Sequence, residues 1–536
     1  MVDIDYRNAR SAGLYDLAQL RDIEQRAQAT LAAHTLMQRA GLAAADQAQS
    51  LIRPAPATGS MSASNPGHDQ PPHVLIVAGP GNNGGDAFEC GFHLAQRGWN
   101  VTLWMPLAAT TPSPDYLQAM ARIRTCKITP IEATEAPDCQ ALAARSWSLV
   151  IDGLFGIGLT RALTDPLRSV VDTMNAIDAP LLALDVPSGL NADTGAVPAG
   201  DNHAGVCVRA THTLTFIADK PGLHTGEGRD HAGAVIVADL GIDPALFPAP
   251  RARLSQPGLF AHAAQPRRHA SHKGSFGDVQ VIGGAAGMVG AALLAAHAAL
   301  KAGSGRVLIG FVDAAQAPQY DPLHPELMCR SAAALDFSEA ALVIGPGLGT
   351  NAAASELVMH ACACDAPLVL DADALNLVAR SPALATAVRA RANRSLATLL
   401  TPHPLEAARL LGTTAHAIQA DRLGAAGTLA SRFAATIILK GSGSVVADGD
   451  LVAINPTGNP ALATGGTGDV LSGLCGALLA QGWPAREAAL GAVWIHGKAA
   501  DELVASGTGP VGVTATEIID AARHVLNTLI RLPGKK

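Results

Sequence analysis

The sequence predicts an α/β protein of two domains, each a three-layer αβα arrangement around an open, mainly parallel sheet. Three observations carry that expectation. The chain's 536 residues exceed one ordinary core, and 49 % apolar residues can fill two. Short β-branched runs alternate with Ala/Leu stretches of helical period, the pattern of βα units around a parallel sheet. That alternation halts in a Pro/Ala/Gln-rich stretch, roughly 244–268, and then restarts, so a boundary belongs near residue 250.

In chain order, the first helical segments end at "RPAPATGSMSASNPGHDQPP" (53–72), too rich in Pro, Gly and Ser to fold alone and expected as a flexible surface insertion. Strands are expected within "HVLIVAG" (73–79), "NVTLWMPLA" (100–108), "SLVIDG" (148–153), "PLLALDVPSG" (180–189), "THTLTFIADK" (211–220) and "AGAVIVADLGID" (232–243). The second half repeats the pattern in "GDVQVIGG" (277–284), "ALVIGPGLG" (341–349), "APLVLDADALN" (366–376), "ATLLTPHPLE" (397–406) and "ATIILKGSG" (435–443). A hairpin with "ADGD" (447–450) at its turn follows. The expected plan is an N-terminal domain over 1–248, a linker over 249–268 and a C-terminal domain over 269–536.

Composition narrows the function. A net charge of −7 with no Lys/Arg-rich block gives nucleic acid and anionic membranes no footing, which leaves small-molecule chemistry. Eight cysteines without a CxxC pair, and a "CAC" (362–364) of the wrong spacing for zinc, read as reduced, buried thiols. The opening "MVDIDYRNAR" has acids and no apolar h-region, and the run 285–300 contains His297 and is followed by Lys301. A soluble, cytoplasmic protein is expected.

The first chemical stretch is "VAGPGNNGGDAFECGFHLAQRG" (77–98). It satisfies G-x-G-x-x-G at Gly79, Gly81 and Gly84, between a strand and a helix. A dehydrogenase of that kind also wants an acidic residue at the end of the next strand for the ribose, and "NVTLWMPLA" offers none. Asn82, Asn83 and Asp86 add oxygens suited to a cation as well as a phosphate. Equally, the asparagines suit the αL angles of a tight turn and Asp86 suits a helix cap. Two further strand ends weigh against that plain reading: Asp152 in "VIDGLFGIGLTRAL" (150–163), and Asp185 with Ser188 in "LALDVPSGLNADTG" (182–195). Ligands of open parallel sheets bind beyond the carboxyl ends of the strands, so the three loops converge on one crevice.

With "GPGNNGGD", "DGLFGIGLTR", "LDVPSGLNADTG" and the upstream "LMQRAG" (36–41), residues 15–245 resemble the NAD(P)H-hydrate epimerase domain, of Rossmann-like fold. They depart from it at Ala87, where that family's loop often carries another Gly. The resemblance implies that Asn82, Asn83, Gly84, Gly85 and Asp86, with Gly156, Ile157, Gly158, Leu159, Thr160 and Arg161, hold the dinucleotide's phosphates. It implies a potassium ion on Asn83, Asp152 and Ser188, and Asp185 facing the hydrated nicotinamide as the catalytic carboxylate. Inverting C6 of that ring needs reversible loss and return of hydroxide or a ring proton shift, and a carboxylate in a partly dry pocket can shuttle the proton.

The second half carries "NPTGNPALATGGTGDVLSG" (455–473), a glycine turn feeding a helix whose free N–H groups suit an anion. Asp469 in its midst is either a general base or a capping Asp. No G-x-x-x-x-G-K-[ST] occurs, so a nucleotide here is not held by a P-loop. The turn resembles the anion hole of ribokinase-type small-molecule kinases, where the helix N-terminus steadies a moving phosphoryl group and the Asp takes a hydroxyl proton.

Together with "SHKGSFG", "HPELM", "GPGLG", "LDADALN", "LTPHP" and "LKGSGS", residues 265–530 are similar to the ADP/ATP-dependent NAD(P)H-hydrate dehydratase, of ribokinase-like fold. The resemblance implies an adenine nucleotide on Lys440, Gly441, Ser442, Gly443, Ser444 and Gly468, the hydrated cofactor on Ala291, Gly347, His403 and Asp469, Mg²⁺ in the same domain and Asp469 as the base. The fused order resembles the bacterial bifunctional NAD(P)H-hydrate repair family. That implies hydrated NADH and NADPH as substrates and ADP as co-substrate, with AMP and phosphate released, in a homo-oligomer. The alternative is a ribokinase-like small-molecule kinase with a non-catalytic N-terminal binding domain, marked by a stable phosphorylated product.

Overall fold

The fold is described from a computed structural model, over residues 12–52, 71–131, 139–159, 161–200, 204–313, 315, 317–338 and 340–531. Residues 53–70 of the expected insertion lie outside the described residues, as does Thr160. The chain forms two compact units, one spanning Gly13–Arg251 and the other built from Ala252 onward.

In the N-terminal unit a seven-stranded sheet runs Thr129–Ile131, Asn100–Trp104, His73–Ala78, Leu149–Gly153, Leu181–Leu184, His212–Phe216, Ala234–Ala238, with every neighbouring pair parallel. Its central strands are continuous apolar runs because both faces are covered. Val74, Ile76 and Ala78 enter one buried cluster, while Leu75 and Val77 enter another. The order reverses between His73–Ala78 and Leu149–Gly153, which opens a crevice beyond their carboxyl ends.

The C-terminal unit repeats the plan. Its strands run Ala252–Leu254, Leu451–Ile454, Val445–Asp448, Thr436–Leu439, Thr398–Leu400, Leu368–Leu370, Ala341–Ile344, Asp278–Gly283, Arg306–Phe311, Met328–Ser331. The pairs are parallel except those made by Val445–Asp448, the first arm of the expected hairpin. The order again reverses, between Ala341–Ile344 and Asp278–Gly283.

Two expectations need correction. The stretch 249–268 is not a free linker: Ala252–Leu254 pairs in parallel with Leu451–Ile454, and the Phe260 ring is fully buried in the second core. All eight cysteines are free thiols, but Cys126, Cys139 and Cys364 are only half-buried. No helix among the described residues is long and apolar enough to cross a membrane.

Two candidate active sites

The crevice of the N-terminal unit is a cavity of about 680 Å³. One wall is the start of the helix Asn82–Gln96, capped by the Gly81 backbone with no side-chain hydrogen bond, so Asp86 is not its cap. Asn82, Asn83, Asp86, Gly156, Ile157, Gly158, Leu159, Arg161 and Asp185 line the cavity together. Gly84 and Gly85 do not. A Cβ on Gly84 would fall 1.9 Å from the Gly79 carbonyl oxygen, and the Gly85 N–H is already donated to the Gly81 carbonyl. Gly84 lets the helix approach the strand end and Gly79, whose Cβ would meet the Leu154 oxygen at 1.7 Å, lets two strand ends approach, while a Cβ on Gly85 would meet Met37 of the helix Thr35–Ile52. Ala87 fits in place of a further glycine because its methyl faces Gly153.

Asp152 and Ser188 lie beneath this floor, fully buried. The Ser188 hydroxyl and N–H both donate to the Asp152 carboxylate, at 2.7 and 2.8 Å, and the Leu154 N–H adds a third bond. All three donors are neutral. Burial pushes the Asp152 carboxyl up to about 6 against these bonds, which favour the charged form. Against Gly156, the side-chain oxygen and nitrogen of buried Asn83 have no hydrogen-bond partner among the described residues. A buried carboxylate with no cationic partner and an orphaned amide oxygen are the kinds of group an oxygen-liganded cation takes. Asp185 points into the cavity and pairs with buried Lys220 at 2.9 Å.

In the C-terminal unit the helix Thr467–Ala480 begins at Gly466, whose φ of 92° supplies the turn. Asp469 stands in the first turn, yet its carboxylate accepts no hydrogen bond among the described residues, and Gly466 holds the cap position. Burial, reinforced by Asp371 and Glu406 and opposed by Lys440, raises Asp469 to about 7. Lys440 follows the strand Thr436–Leu439; its ammonium sits 2.7 Å from Asp371 and 3.9 Å from Glu406. A Cβ on Gly468 would lie 3.5 Å from that ammonium, so Lys440, Gly468 and Asp469 share one place.

His403 has a local duty. Its Nδ1 accepts the Leu405 and Glu406 N–H groups at the head of the helix Pro404–Leu411, while Glu406 accepts the His403 N–H. Burial and Lys440 hold its ring below the usual range. Gly347, at φ 59°, lies against the first turn of the helix Val289–Lys301, where its Cβ would meet Met288 and Ala291. Gly441 and Gly443 take left-handed angles of 140° and 59° in the loop after Lys440, and the Ser444 hydroxyl donates to the Gly441 carbonyl. Ser442 is exposed in the same loop. Among the described residues no group of three His, Cys, Asp or Glu is placed to hold a metal ion.

A family model described as YjeF-related protein N-terminus matches residues 33–222, and one described as NAD(P)H-hydrate dehydratase matches 279–524. The bifunctional NAD(P)H-hydrate repair enzyme Nnr of Coxiella burnetii is 34 % identical over 529 residues, 96 % of this chain and 99 % of that one. The chain belongs to the bifunctional NAD(P)H-hydrate repair enzyme family. The Escherichia coli member is 37 % identical over 470 residues, 85 % of each chain. A solved ADP/ATP-dependent NAD(P)H-hydrate dehydratase from Bacillus subtilis, co-crystallised with ATP/Mg²⁺, is 28 % identical, with 52 % of this chain and 98 % of that one covered at a TM-score of 0.43.

Three charged groups of this repair-family member escaped the sequence reading. Lys220 closes onto Asp185, and Asp371 and Glu406 surround Lys440. "LDADALN" and "LTPHPLE" each put an acid after a strand, the one signal available for the last two.

Proposed function

We propose that this chain repairs hydrated NADH and NADPH, the N-terminal unit interconverting the R and S epimers and the C-terminal unit dehydrating the S form with ADP, giving AMP and phosphate. The observation that carries the reading is the carboxylate of Asp469. It lies at a helix N-terminus, makes no capping bond, and titrates near neutrality beside a lysine. A group so placed is suited to take the C6 hydroxyl proton while the helix N–H groups and Lys440 hold the phosphoryl being transferred. Loss of the resulting phosphate from C6 and of a proton from C5 restores the dihydronicotinamide ring.

In the N-terminal unit Asp185 is the proton shuttle, and Asn82, Asn83, Asp86, Gly156–Leu159 and Arg161 hold the dinucleotide, supported by their common cavity. Asn83, Asp152 and Ser188 would hold K⁺, which would supply positive charge to a site that binds phosphates. Mg²⁺ would accompany the nucleotide in the other unit, bound through its phosphates and a carboxylate such as Glu406, since few protein ligands suffice for that ion. We place the enzyme in the cytoplasm as a homo-oligomer, which light scattering checks.

The test is to incubate the protein with a mixture of hydrated NADH epimers, ADP, K⁺ and Mg²⁺ and follow the absorbance of reduced nicotinamide. Full recovery is expected; recovery of the S fraction alone removes the epimerase assignment. A stable phosphorylated product without NADH makes the C-terminal unit a plain kinase.

A further inference from the structure

We infer that Lys220 is the positioning residue of the N-terminal site, holding the Asp185 carboxylate in a strained backbone conformation aimed into the cavity. The inference rests on the epimerase reading above and deepens it. Asp185 has φ 67°, and the Val186 N–H closes onto the Leu184 carbonyl at 2.9 Å, which makes Asp185 the centre of a three-residue γ-turn. The positive-φ form of that turn is rare and strained. One strand over, Ile217 repeats it: φ is 69°, and the Ala218 N–H meets the Phe216 carbonyl at 2.8 Å. For a β-branched residue such an angle is a marked outlier. The two turns end the neighbouring strands Leu181–Leu184 and His212–Phe216, and both central residues line the cavity.

Strain of this kind persists only where the surroundings over-determine it. Lys220 does so. Its ammonium donates to the Phe216 and Ala218 carbonyls, at 3.0 and 3.1 Å, on either side of Ile217, and to the Thr215 hydroxyl at 2.5 Å. The same nitrogen stands 2.9 Å from Asp185 Oδ1. One cation therefore ties the second turn to the carboxylate of the first. Its side chain is 1 % exposed, where solvent and salt screen the pair little. The other carboxylate oxygen accepts the Ile157 N–H at 3.3 Å, and the absent side chain of Gly156 keeps that approach open. A buried ammonium held by the Thr215 hydroxyl and the Phe216 and Ala218 carbonyls is itself fixed, and so fixes where Asp185 points rather than carrying protons itself.

The test is a double-mutant cycle on epimer exchange in the full chain, with dehydration of the S form and thermal melting read in parallel. Lys220→Met keeps the stem and removes the ammonium. We expect kcat for exchange to fall about a hundredfold, the scale of a misplaced catalytic group, with KM little changed and dehydration kept. Asp185→Asn/Lys220→Met should be no slower than Asp185→Asn and should melt above Lys220→Met, because the two residues act as one unit. If Lys220→Met fails to fold, recovery of the fold in the double variant supports the inference. A Lys220→Met variant with normal kcat, one with raised KM alone, or a double variant that melts no higher than Lys220→Met overturns it. Absence of exchange in the unaltered chain is a different result, and removes the epimerase reading itself.

Discussion

Asp469 stands where aspartates usually accept backbone hydrogen bonds, and it accepts none among the described residues. As a cap it would tolerate Asn; as a base it cannot, since an amide takes no proton. We expect Asp469→Asn to keep epimer exchange and to lose dehydration by at least about a hundredfold, measured on the S form. Stability supplies a second reading. The folded pKa, about 7, lies above the roughly 3.9 of an unfolded Asp, so the folded state binds more protons between those values. Stability is then lost as pH rises from about 4 to about 7, and the Asn variant is spared that loss. Its melting temperature should equal or exceed that of the unaltered chain at pH 8, the gap closing as pH falls toward 4. Lys440 behaves differently from a loose phosphate-binding lysine because Asp371 already holds it at 2.7 Å. Lys440→Ala should raise the ADP requirement roughly ten- to a hundredfold and also destabilise the unit by about 3–5 kcal/mol, since a buried carboxylate loses its partner. Nucleotide titration and denaturant melts check the two effects separately.

Helices and strands are the scale at which the sequence spoke most plainly. Runs such as "HVLIVAG" and "ALVIGPGLG" are apolar without alternation because both faces of a parallel strand are covered, and they emerge as His73–Ala78 and Ala341–Ile344. The strand Ala252–Leu254 was illegible: three residues carry no periodicity, and pairing with Leu451–Ile454, some 200 positions later, defines it. Lys220 was hidden for the same reason, since its partner Asp185 lies on another strand's end. The glycine spacing was legible but ambiguous in meaning. Gly79 and Gly84 serve backbone proximity, which any ligand of such a turn requires, so the residues particular to this turn are Asn82, Asn83 and Asp86, which line the cavity. Gly79→Ala would push a Cβ to 1.7 Å from the Leu154 oxygen, backbone against backbone. A cost of about 3 kcal/mol is expected, a drop of roughly 6–12 °C in the melting midpoint of the N-terminal unit, with epimer exchange lost.

At the scale of the whole molecule, each unit has its own sheet, buried core and candidate site. Asp152→Ala should therefore impair epimer exchange and its response to K⁺ while leaving dehydration of the S form unchanged; equal loss of both activities in a folded variant would count against that separation. Carrying both units on one chain also fixes a ratio. Whatever the expression level, every dehydrating centre is synthesised with one inverting centre, so stoichiometry never drifts as it would between two separately made enzymes. As the S pool drains, the R pool refills it from an equal number of sites, and the slower centre sets the flux of cofactor salvage at any abundance of the protein.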